Sequence, residues 1–581
     1  MNRRDALKVG SGLAIGAWLG GCNGAGTITG PAADLVLPII DVHCHLFNGS
    51  DLPTVRFIKI VILHHYPKQG IRTLDVRDAD ALDGLIALFS AIVGRTRAPA
   101  AAKEIAVLKG QAPAAALNRD APANEAAVID ATAEFLALNQ FAVAGDVSSN
   151  ALRTVRNALV SAATGVAGAA VSGEGLSSSD ARAIAEKAYR SNADLGTVLR
   201  WFALFTRYRY VLSEQLQADH ARQGFPPLLL CPAAIDYDRW LGENVDASPL
   251  PLQVDVMGEL ARRPKGPAVH GYVAFDPLRQ AYFAAGKFTE FDPLGLVQRA
   301  IRAEGFLGVK LYPPMGFKPI GNATAPCQLY PKWPLDDLEA AALDDPRTAA
   351  CRPRPANGSV TLAGRIDRAM SDLFDLCLRE EGCIITHASE SNQSGEQYAK
   401  RADPAHWVPV FDRWPRLRVC LAHFGHFQHE SAAAPAGATL PEASWEWTLG
   451  RYLKRSPDAP VFADISYLNE VAGADAATQR PYAQLFRRWL DEFDPQCRHL
   501  VFGTDWTMLG LDRSYQSYTK SVYEFFRDAV KLTPSQLEQL FSGNAGRFLG
   551  LREGDAARKR LLGFYDRYEL PRSRLAPIGK A

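Results

Sequence analysis

Apolar residues follow two different patterns along the chain, and the change between them lies near residue 226. From that point onward, short apolar runs alternate with stretches of helical spacing, at 293–304, 362–381, 445–454 and 482–493. This alternation predicts parallel strands that are connected by helices. The predicted strands cover residues 228–235, 268–275, 306–312, 383–387, 417–423, 461–465 and 499–505.

The sequence before residue 226 predicts one further strand and a long helical segment. The strand covers residues 35–43, and the Ala-rich segment 51–225 shows helical spacing at 79–93, 125–138 and 179–218. Eight parallel strands that alternate with helices form a (β/α)8 barrel. We therefore expect an α/β fold, a distorted TIM barrel with a large helical insertion after strand 1. The insertion would lie on the face of the barrel where the strands end, and it would cap the active-site mouth.

The N-terminal pattern predicts an export signal over residues 1–22. An arginine pair precedes thirteen uncharged residues, 9–21, and then Cys22. The uncharged stretch is too short to span a membrane as a mature helix. Its start resembles a twin-arginine signal, with Ala6 where a bulky apolar residue is usual, and its end resembles a lipobox. These resemblances imply lipidation of Cys22 and a protein of the periplasm or cell envelope; a buried N-terminal helix is the alternative.

Composition narrows the classes of protein further. The chain has 581 residues, 47% of them hydrophobic, with 64 Lys and Arg against 63 Asp and Glu. This near-neutral balance argues against a general nucleic-acid binder, and nine cysteines are too few for a disulfide scaffold. Cys327 and Cys351 flank a Pro-rich stretch, although sequence alone does not establish a bridge between them. We expect a tether over 23–34, barrel parts over 35–50 and 226–550, and a C-terminal extension over 551–581.

Four predicted strands end in residues that bind metals or transfer protons. The first strand runs into His43 and His45, which share one face because side chains alternate along a strand. Three later strands end at His387, His423 and Asp505. A single histidine at such a position is more often a hydrogen-bonded core residue. Agreement among four strand ends points instead to an active site, because barrel enzymes place their reacting groups there.

These motifs resemble the amidohydrolase superfamily, most closely its amidohydrolase-related branch of single-metal hydrolases and decarboxylases. The resemblance extends over residues 35–49 and 226–550. It implies that His43, His45 and His387 are metal ligands. It also implies that Asp505 binds the metal or its water and accepts a proton, while His423 polarises the substrate or moves a proton. The strongest matching segments are 41–45, 308–314, 421–423, 502–506 and 543–550, the last with Gly546 where the family usually has Ala.

The resemblance and the residue types together define the expected chemistry. Imidazoles and a carboxylate suit one divalent metal, with Zn²⁺ favoured and Mn²⁺ or Fe²⁺ acceptable. We expect an exported metal-dependent hydrolase that attacks a C–N or C–O bond of a small molecule. One alternative is a metal-dependent decarboxylase of an unsaturated or aromatic acid, and another is a non-catalytic binding lipoprotein. The expected partner is a small molecule, with membrane contact only through the lipid anchor.

Three further residues are candidates for binding substrate. Lys310 lies within a predicted strand on the same face as Tyr312, and Arg279 follows the predicted strand 268–275. A buried lysine needs a partner. Lys310 would be a carbamylated bridge between two metals, a cation for a substrate carboxylate, or the partner of an internal acid such as Asp276. Asp464, at the end of another strand, is expected to hold a neighbouring histidine.

Overall fold

The computed structural model describes residues 36–58, 79–96, 98–112, 115–137, 149–164, 176–191, 194–241, 245–286, 290–322, 362–390 and 398–579. The export signal with Cys22, the tether, and Cys327 and Cys351 lie outside these residues, so their predictions stay predictions. None of the described helices is long and apolar enough to cross a membrane.

Eight parallel strands form the centre of the protein. Strands β1 and β2 pair with each other, and strands β3 to β8 form a six-stranded sheet in chain order. The strands are β1 (Ile39–Cys44), β2 (Pro227–Pro232), β3 (Tyr272–Ala274), β4 (Gly308–Leu311), β5 (Cys383–His387), β6 (Val419–Ala422), β7 (Val461–Asp464) and β8 (Leu500–Val501). The predicted parallel α/β fold is confirmed.

Isolated contacts join the edges of the two sheets. Parallel bridges connect Leu230 with Val269, between β2 and β3, and Cys44 with Trp506, between β1 and the chain after β8. Next to the latter bridge, the Val42 amide donates to the Phe502 carbonyl over 3.1 Å. This arrangement is consistent with a TIM barrel.

Two glycines permit the strands to approach closely. A Cβ atom on Gly503 would lie 2.8 Å from the Cβ atom of His43, and one on Gly308 would lie 1.8 Å from the Cys383 carbonyl oxygen. Any side chain at these positions would push neighbouring strands apart. Gly503 therefore brings the chain after β8 against the predicted metal motif on β1.

Every described element between β1 and β2 is helical. The stretch 179–218, for which helical spacing was predicted, forms three helices. The first is stabilised at its end by the Arg200 guanidinium, which donates to the carbonyls of Tyr189 and Ser191 over 2.5 and 2.7 Å. The helices are Thr54–Arg56, Ala79–Arg95, Ala101–Leu108, Ala115–Ala137, Ser149–Thr164, Ser178–Arg190, Asp194–Leu204 and Arg209–Arg222.

Helices also follow the later strands, close to their predicted positions. The α-helices are Asp238–Leu241, Leu250–Ala261, Pro277–Ala284, Pro293–Ala303, Leu362–Arg379, Val408–Arg413, Trp445–Arg455, Ala476–Phe493, Tyr518–Glu524, Pro534–Glu538, Asn544–Leu549 and Ala556–Arg567. Short 3₁₀ turns cover Pro313–Met315, Tyr398–Ala402, Pro404–His406, Met508–Leu511, Arg513–Ser517 and Arg572–Arg574, and π-helical turns cover Phe525–Ala529 and Gln539–Gly543.

A buried arginine attaches the helical segment to the chain after β1. The guanidinium of Arg209, 1% exposed, donates to Asp51 and Glu104 over 2.9 Å each. The second oxygen of Glu104 accepts a hydrogen bond from the Tyr210 amide over 2.8 Å. Burial raises the pKa of Glu104 although Arg209 acts in the opposite direction. We call Arg209, Asp51 and Glu104 the anchor cluster.

The C-terminal helix Ala556–Arg567 closes one side of the strand core. Its Leu561 and Tyr565 belong to the same apolar cluster as Val42 of β1. The buried His270 lies beside this helix, with Nε2 3.1 Å from the Tyr565 hydroxyl and Nδ1 2.9 Å from the Gly305 carbonyl oxygen. Both ring nitrogens of His270 are therefore satisfied.

Candidate active site and metal centre

Two histidines and an aspartate meet where β1 and β8 end. The amides of Thr504 and Asp505 donate to the His43 carbonyl over 3.0 and 2.7 Å, which fixes the chain after β8 against β1. As a result, Asp505 Oδ1 lies 3.5 Å from His43 Nε2 and 3.0 Å from His45 Nε2. We call His43, His45 and Asp505 the central triad.

Hydrogen bonds at the far side of each ring determine which nitrogens of the triad carry lone pairs. Nδ1 of His45 lies 2.9 Å from the Ala233 carbonyl oxygen, which only accepts, so Nδ1 is the donor. Nδ1 of His43 lies 3.1 Å from Asp464 Oδ2 and 3.1 Å from Ser466 Oγ. A histidine with a carboxylate or carbonyl at one nitrogen binds metal through the other.

The central triad therefore brings together three atoms that can bind a metal, one of which, His43 Nε2, also lies 2.8 Å from Lys310 Nζ. Its ligand atoms all lie within 4.8 Å of one another, and all three residues are buried. Lone pairs at this separation repel unless a cation or a proton lies between them. Two neutral imidazoles and a carboxylate suit a divalent metal such as Zn²⁺. The donor set thus fits the metal that the sequence predicts.

Two site residues have left-handed backbone conformations, with φ of +68° at His423 and +58° at Asp505. Non-glycine residues adopt this conformation at a cost of about 1–3 kcal/mol, and such residues cluster at functional sites. Hydrogen bonds hold both of them: the His423 amide donates to Asp464 Oδ1 over 3.1 Å, and the Asp505 amide donates to His43. Asp464 therefore holds His43 and also supports His423, as its position at a strand end predicts.

His387 and His423 form the adjoining wall. Their ring centroids lie 4.6 Å apart, and the His423 ring lies 5.0 Å from that of His43. Nε2 of His387 lies 3.1 Å from the Ser389 carbonyl oxygen, which leaves Nδ1 as its lone-pair atom. In the part of the chain that the structure describes, His387 is not a member of the close donor groups. Its role as a ligand stays a prediction.

Burial sets the protonation of these groups. Burial is the largest cause that lowers the pKa of His43, His387 and His423, so their rings are neutral at neutral pH and able to bind metal. Burial acts to raise the pKa of Asp505, but the contacts with His45, His423 and His43 lower it well below its usual range.

Lys310 is buried beside the triad. Its Nζ lies 2.8 Å from His43 Nε2, and burial lowers its pKa to about 8 although Asp505 and Asp464 act in the opposite direction. The pairing of Lys310 with Asp276 is not formed in the described structure. Instead, Asp276 Oδ1 accepts a hydrogen bond from the Leu278 amide over 2.8 Å, as the N-cap of the helix Pro277–Ala284.

Arg279 lies away from its expected position. We expected it to bind substrate, but its guanidinium is 4% exposed and forms ion pairs with Asp236, over 2.7 Å, and with Asp238. It is not among the residues that line the cavity next to the triad. The two aspartates follow β2, more than forty residues earlier, and sequence spacing gives no sign that they reach Arg279.

A cavity of about 60 Å³ opens beside the triad. Lys310 and Tyr312 line it, as predicted for substrate-binding residues, and aromatic side chains that were not predicted complete its wall. Tyr312 lies between His387 and Tyr237, with ring centroids 4.4 and 5.4 Å away. The full lining is His45, Phe47, Phe57, Ile235, Tyr237, Lys310, Tyr312, His387, Ser389, His423, His426, Tyr467, Asp505 and Met508.

Asp41 supports the triad from behind, together with a residue of the helical segment. One of its oxygens accepts from the Thr504 amide over 3.1 Å, and the other accepts from the Thr504 hydroxyl over 2.7 Å. Nε2 of His220 lies 3.3 Å from the same carboxylate. Sequence reasoning missed both His220 and Thr504, because only the fold brings residues 41, 220 and 504 together.

One protein family matches part of the chain. Residues 290–551, less than half of the 581-residue chain, match the profile of a family described as Amidohydrolase. The match supports the expected relationship to the amidohydrolase superfamily and to metal-dependent enzymes. It includes His387, His423 and Asp505 but begins after His43 and His45. No curated protein sequence matches the chain.

Three crystal structures show a distant likeness. A protein of Lactobacillus casei ATCC 334 assigned as a metal-dependent hydrolase is 14% identical, with 90% of this chain and 96% of that one covered and a TM-score of 0.35. A protein of Acinetobacter baumannii assigned as a 2-pyrone-4,6-dicarboxylic acid hydrolase, with citric acid bound, is 12% identical, with 58% and 88% covered and a TM-score of 0.31. A zinc-bound amidohydrolase of Burkholderia multivorans is 16% identical, with 60% and 91% covered and a TM-score of 0.31.

Proposed function

We propose that this protein is a metal-dependent hydrolase of the amidohydrolase type that cleaves a C–N or C–O bond of a small molecule. The convergence of three buried ligand atoms at the central triad, within 4.8 Å of one another, is the observation that carries the proposal. The strand order and the bridges between sheet edges support a distorted (β/α)8 barrel as its scaffold. The helical segment between β1 and β2 contributes Phe57 to the cavity wall.

The triad residues would hold the metal, and His387 is proposed as a further ligand. Zn²⁺ is the proposed ion, since imidazole nitrogens with one carboxylate suit it. When bound, the metal would polarise the substrate and lower the pKa of a water molecule toward about 7.

The residues of the chain itself have distinct roles in the proposed reaction. Asp505 is ionised across the physiological range, because its pKa is held low, and it can accept a proton at its carboxylate. Neutral His423 can stabilise charge on the substrate or return the proton. Ser466 Oγ lies 3.0 Å from His423 Nδ1 and 3.1 Å from His43 Nδ1, so it orients both rings.

Decarboxylation is the second candidate, and Lys310 is the observation that favours it. Its ammonium lies in the cavity wall next to the triad, where it would bind a substrate carboxylate. Tyr312 and Tyr237 would pack against an unsaturated or aromatic ring. The same groups would then protonate the carbon that loses carbon dioxide.

Export remains part of the proposal, based on residues 1–22 alone. A lipid on Cys22 would anchor the protein in the cell envelope. Cell fractionation of the full chain beside Cys22→Ala tests this point: the substitution is expected to release the protein from the membrane fraction. A variant that partitions like the full chain would overturn lipidation.

Metal content is the first test of the proposed function. We expect about one equivalent of zinc or a similar ion per chain, which the variant His43→Ala/His45→Ala loses. His270→Gln is the matched control, because it replaces a buried histidine outside the site and should keep the metal. Circular dichroism verifies that each variant is folded.

The metal stoichiometry distinguishes the alternatives. About two equivalents would favour Lys310 as a carbamylated bridge. If the folded protein binds no metal when metal is supplied in excess, the proposal is overturned in favour of a non-catalytic binding lipoprotein. Once a substrate is found, incorporation of ¹⁸O from labelled water identifies hydrolysis, and release of carbon dioxide identifies decarboxylation.

A further inference from the structure

We propose that a small side pocket next to the active cavity binds an amino group of the substrate through Asp276. This inference rests on the proposed function, and it names a feature of the substrate that the metal site does not define. The side pocket has a volume of about 20 Å³ and shares four wall residues with the active cavity: Ile235, Tyr237, Lys310 and Tyr312. Asp236 and Asp276 belong to its own wall.

Asp276 supplies an acceptor that the protein leaves unused. The residue is 4% exposed, and its Oδ1 accepts the Leu278 amide. Its Oδ2 is buried and has no hydrogen-bond partner among the described residues. A buried polar atom without a partner costs free energy, and such atoms in native proteins commonly have a ligand or a functional role. A donor that enters the side pocket would satisfy Oδ2.

The charge around the side pocket favours a cation. Three carboxylates, those of Asp236, Asp238 and Asp276, surround one guanidinium, that of Arg279. Arg279 is already paired with Asp236 and Asp238. Lys310, which lines both cavities, directs its ammonium to His43 Nε2 over 2.8 Å. Asp276 Oδ2 has no hydrogen bond to either cation among the described residues, and an ammonium group would offset the excess negative charge.

The size of the side pocket limits what can enter. A space of about 20 Å³ holds one water molecule or one group of similar size. A primary amine fits this limit, whereas a ring or a guanidinium does not. Burial raises the pKa of Asp276 and Asp236 although Arg279 acts in the opposite direction. The preferred substrate therefore carries a primary amine on a short chain beside the reacting bond.

Pairs of hydroxamates of equal size test the proposal. The hydroxamate group binds metal, so the zinc-loaded protein would be titrated calorimetrically with ω-aminoalkyl hydroxamates of one to four methylenes. Each is compared with the alkyl hydroxamate in which a methyl group replaces the ammonium. We expect at least one chain length at which the amino compound binds about tenfold tighter or more, as for a charge-assisted hydrogen bond.

Two variants assign that preference to Asp276. In Asp276→Asn, the ratio of the affinities for the amino and the alkyl hydroxamate should fall to about one. The amide keeps an oxygen for the helix cap but carries no charge. Asp403→Asn is the matched control, since Asp403 also caps a turn and both of its oxygens accept hydrogen bonds elsewhere. It should keep the preference of the unmodified protein.

The alkyl hydroxamates distinguish failure of the side-pocket proposal from failure of the proposed metal site. If they bind and no amino analogue binds tighter at any chain length, the side-pocket proposal is wrong while the metal site stands. If no hydroxamate binds the zinc-loaded protein, the proposed metal function fails as well. A preference that persists in Asp276→Asn would overturn the assignment of the residue. The preference of the unmodified protein is informative even if a variant does not fold.

Discussion

The central triad and the anchor cluster are both buried and charged, but they are built in opposite ways. In the anchor cluster, each carboxylate of Asp51 and Glu104 receives a hydrogen bond from Arg209, and Glu104 receives a further one from an amide. In the triad, Asp505 Oδ1 lies 3.5 Å from His43 Nε2 and 3.0 Å from His45 Nε2, and the nearby ammonium of Lys310 contacts His43 alone of the three. Both groups lie beside the same loop after β1.

The comparison indicates two different uses of buried polar residues. Those of the anchor cluster stabilise the fold, and those of the central triad are proposed to take part in chemistry. Donors and acceptors match in the anchor cluster, so nothing is left over to bind a ligand. The triad has an excess of acceptors, and backbone strain at Asp505 accompanies it. A proposed metal site needs ligand atoms that the donors of the protein do not all occupy.

The largest effect is expected from Asp505→Asn. Loss of the proton acceptor should reduce turnover by about 10³- to 10⁴-fold, while the similar shape of the amide preserves the fold. Steady-state kinetics on the zinc-loaded variant measures this effect. Asp51→Asn is the matched control in the anchor cluster, and it should change stability while activity per folded molecule stays within about twofold. Full activity of Asp505→Asn would disprove its role in proton transfer.

The second effect concerns stability. Arg209→Met leaves Asp51 and Glu104 buried without their cation, so the free energy of unfolding should fall by about 3–5 kcal/mol. Urea denaturation measures it, with Arg527→Met as a control in which the guanidinium belongs to an exposed pair with Asp528. The control should keep the denaturation midpoint. Equal midpoints for the two variants would show that the anchor cluster does not stabilise the helical segment.

The smallest effect is a pH dependence at His270, a satisfied histidine outside both clusters. Burial lowers its pKa to about 3, so the folded protein keeps it neutral while the unfolded chain protonates it below about 6.5. Stability should therefore fall as the pH falls below about 6.5, with about 2 kcal/mol lost through this residue by pH 5. Urea denaturation at pH 7, 6 and 5 should give a shallower dependence for His270→Gln. An unchanged slope would contradict the assignment.

The local pattern of apolar and polar residues along the sequence was sufficient to predict most of the strands and helices and the residues at the strand ends. Alternation along β1 predicts that His43 and His45 share a face, and their Nε2 atoms do approach Asp505 together. Strand β8 is shorter than expected, Leu500–Val501, and the left-handed residue Asp505 lies in the segment that was predicted to continue the strand. Such a turn depends on hydrogen bonds to β1, which no local pattern encodes.

Long-range pairing determines two features that the sequence alone does not show. Arg279 was expected at the cavity because it follows a strand, but Asp236 and Asp238 pair with it inside the protein. The helical spacing over 179–218 corresponds to three separate helices, and Arg200 donates to carbonyls at the end of the first. In each case, a charged side chain found partners that spacing along the sequence does not reveal.

The bond between Asp41 and Thr504 has a consequence for how the protein is made. These residues lie 463 positions apart, so a ribosome that adds about 5–20 residues per second needs roughly 20–90 s to proceed from one to the other. Throughout that interval the two histidines of β1 exist without Asp505, and for most of it they also lack the carboxylate support of Asp464. The proposed ligand set is complete only when synthesis is nearly finished, so metal capture by that set would belong to the end of the protein's assembly.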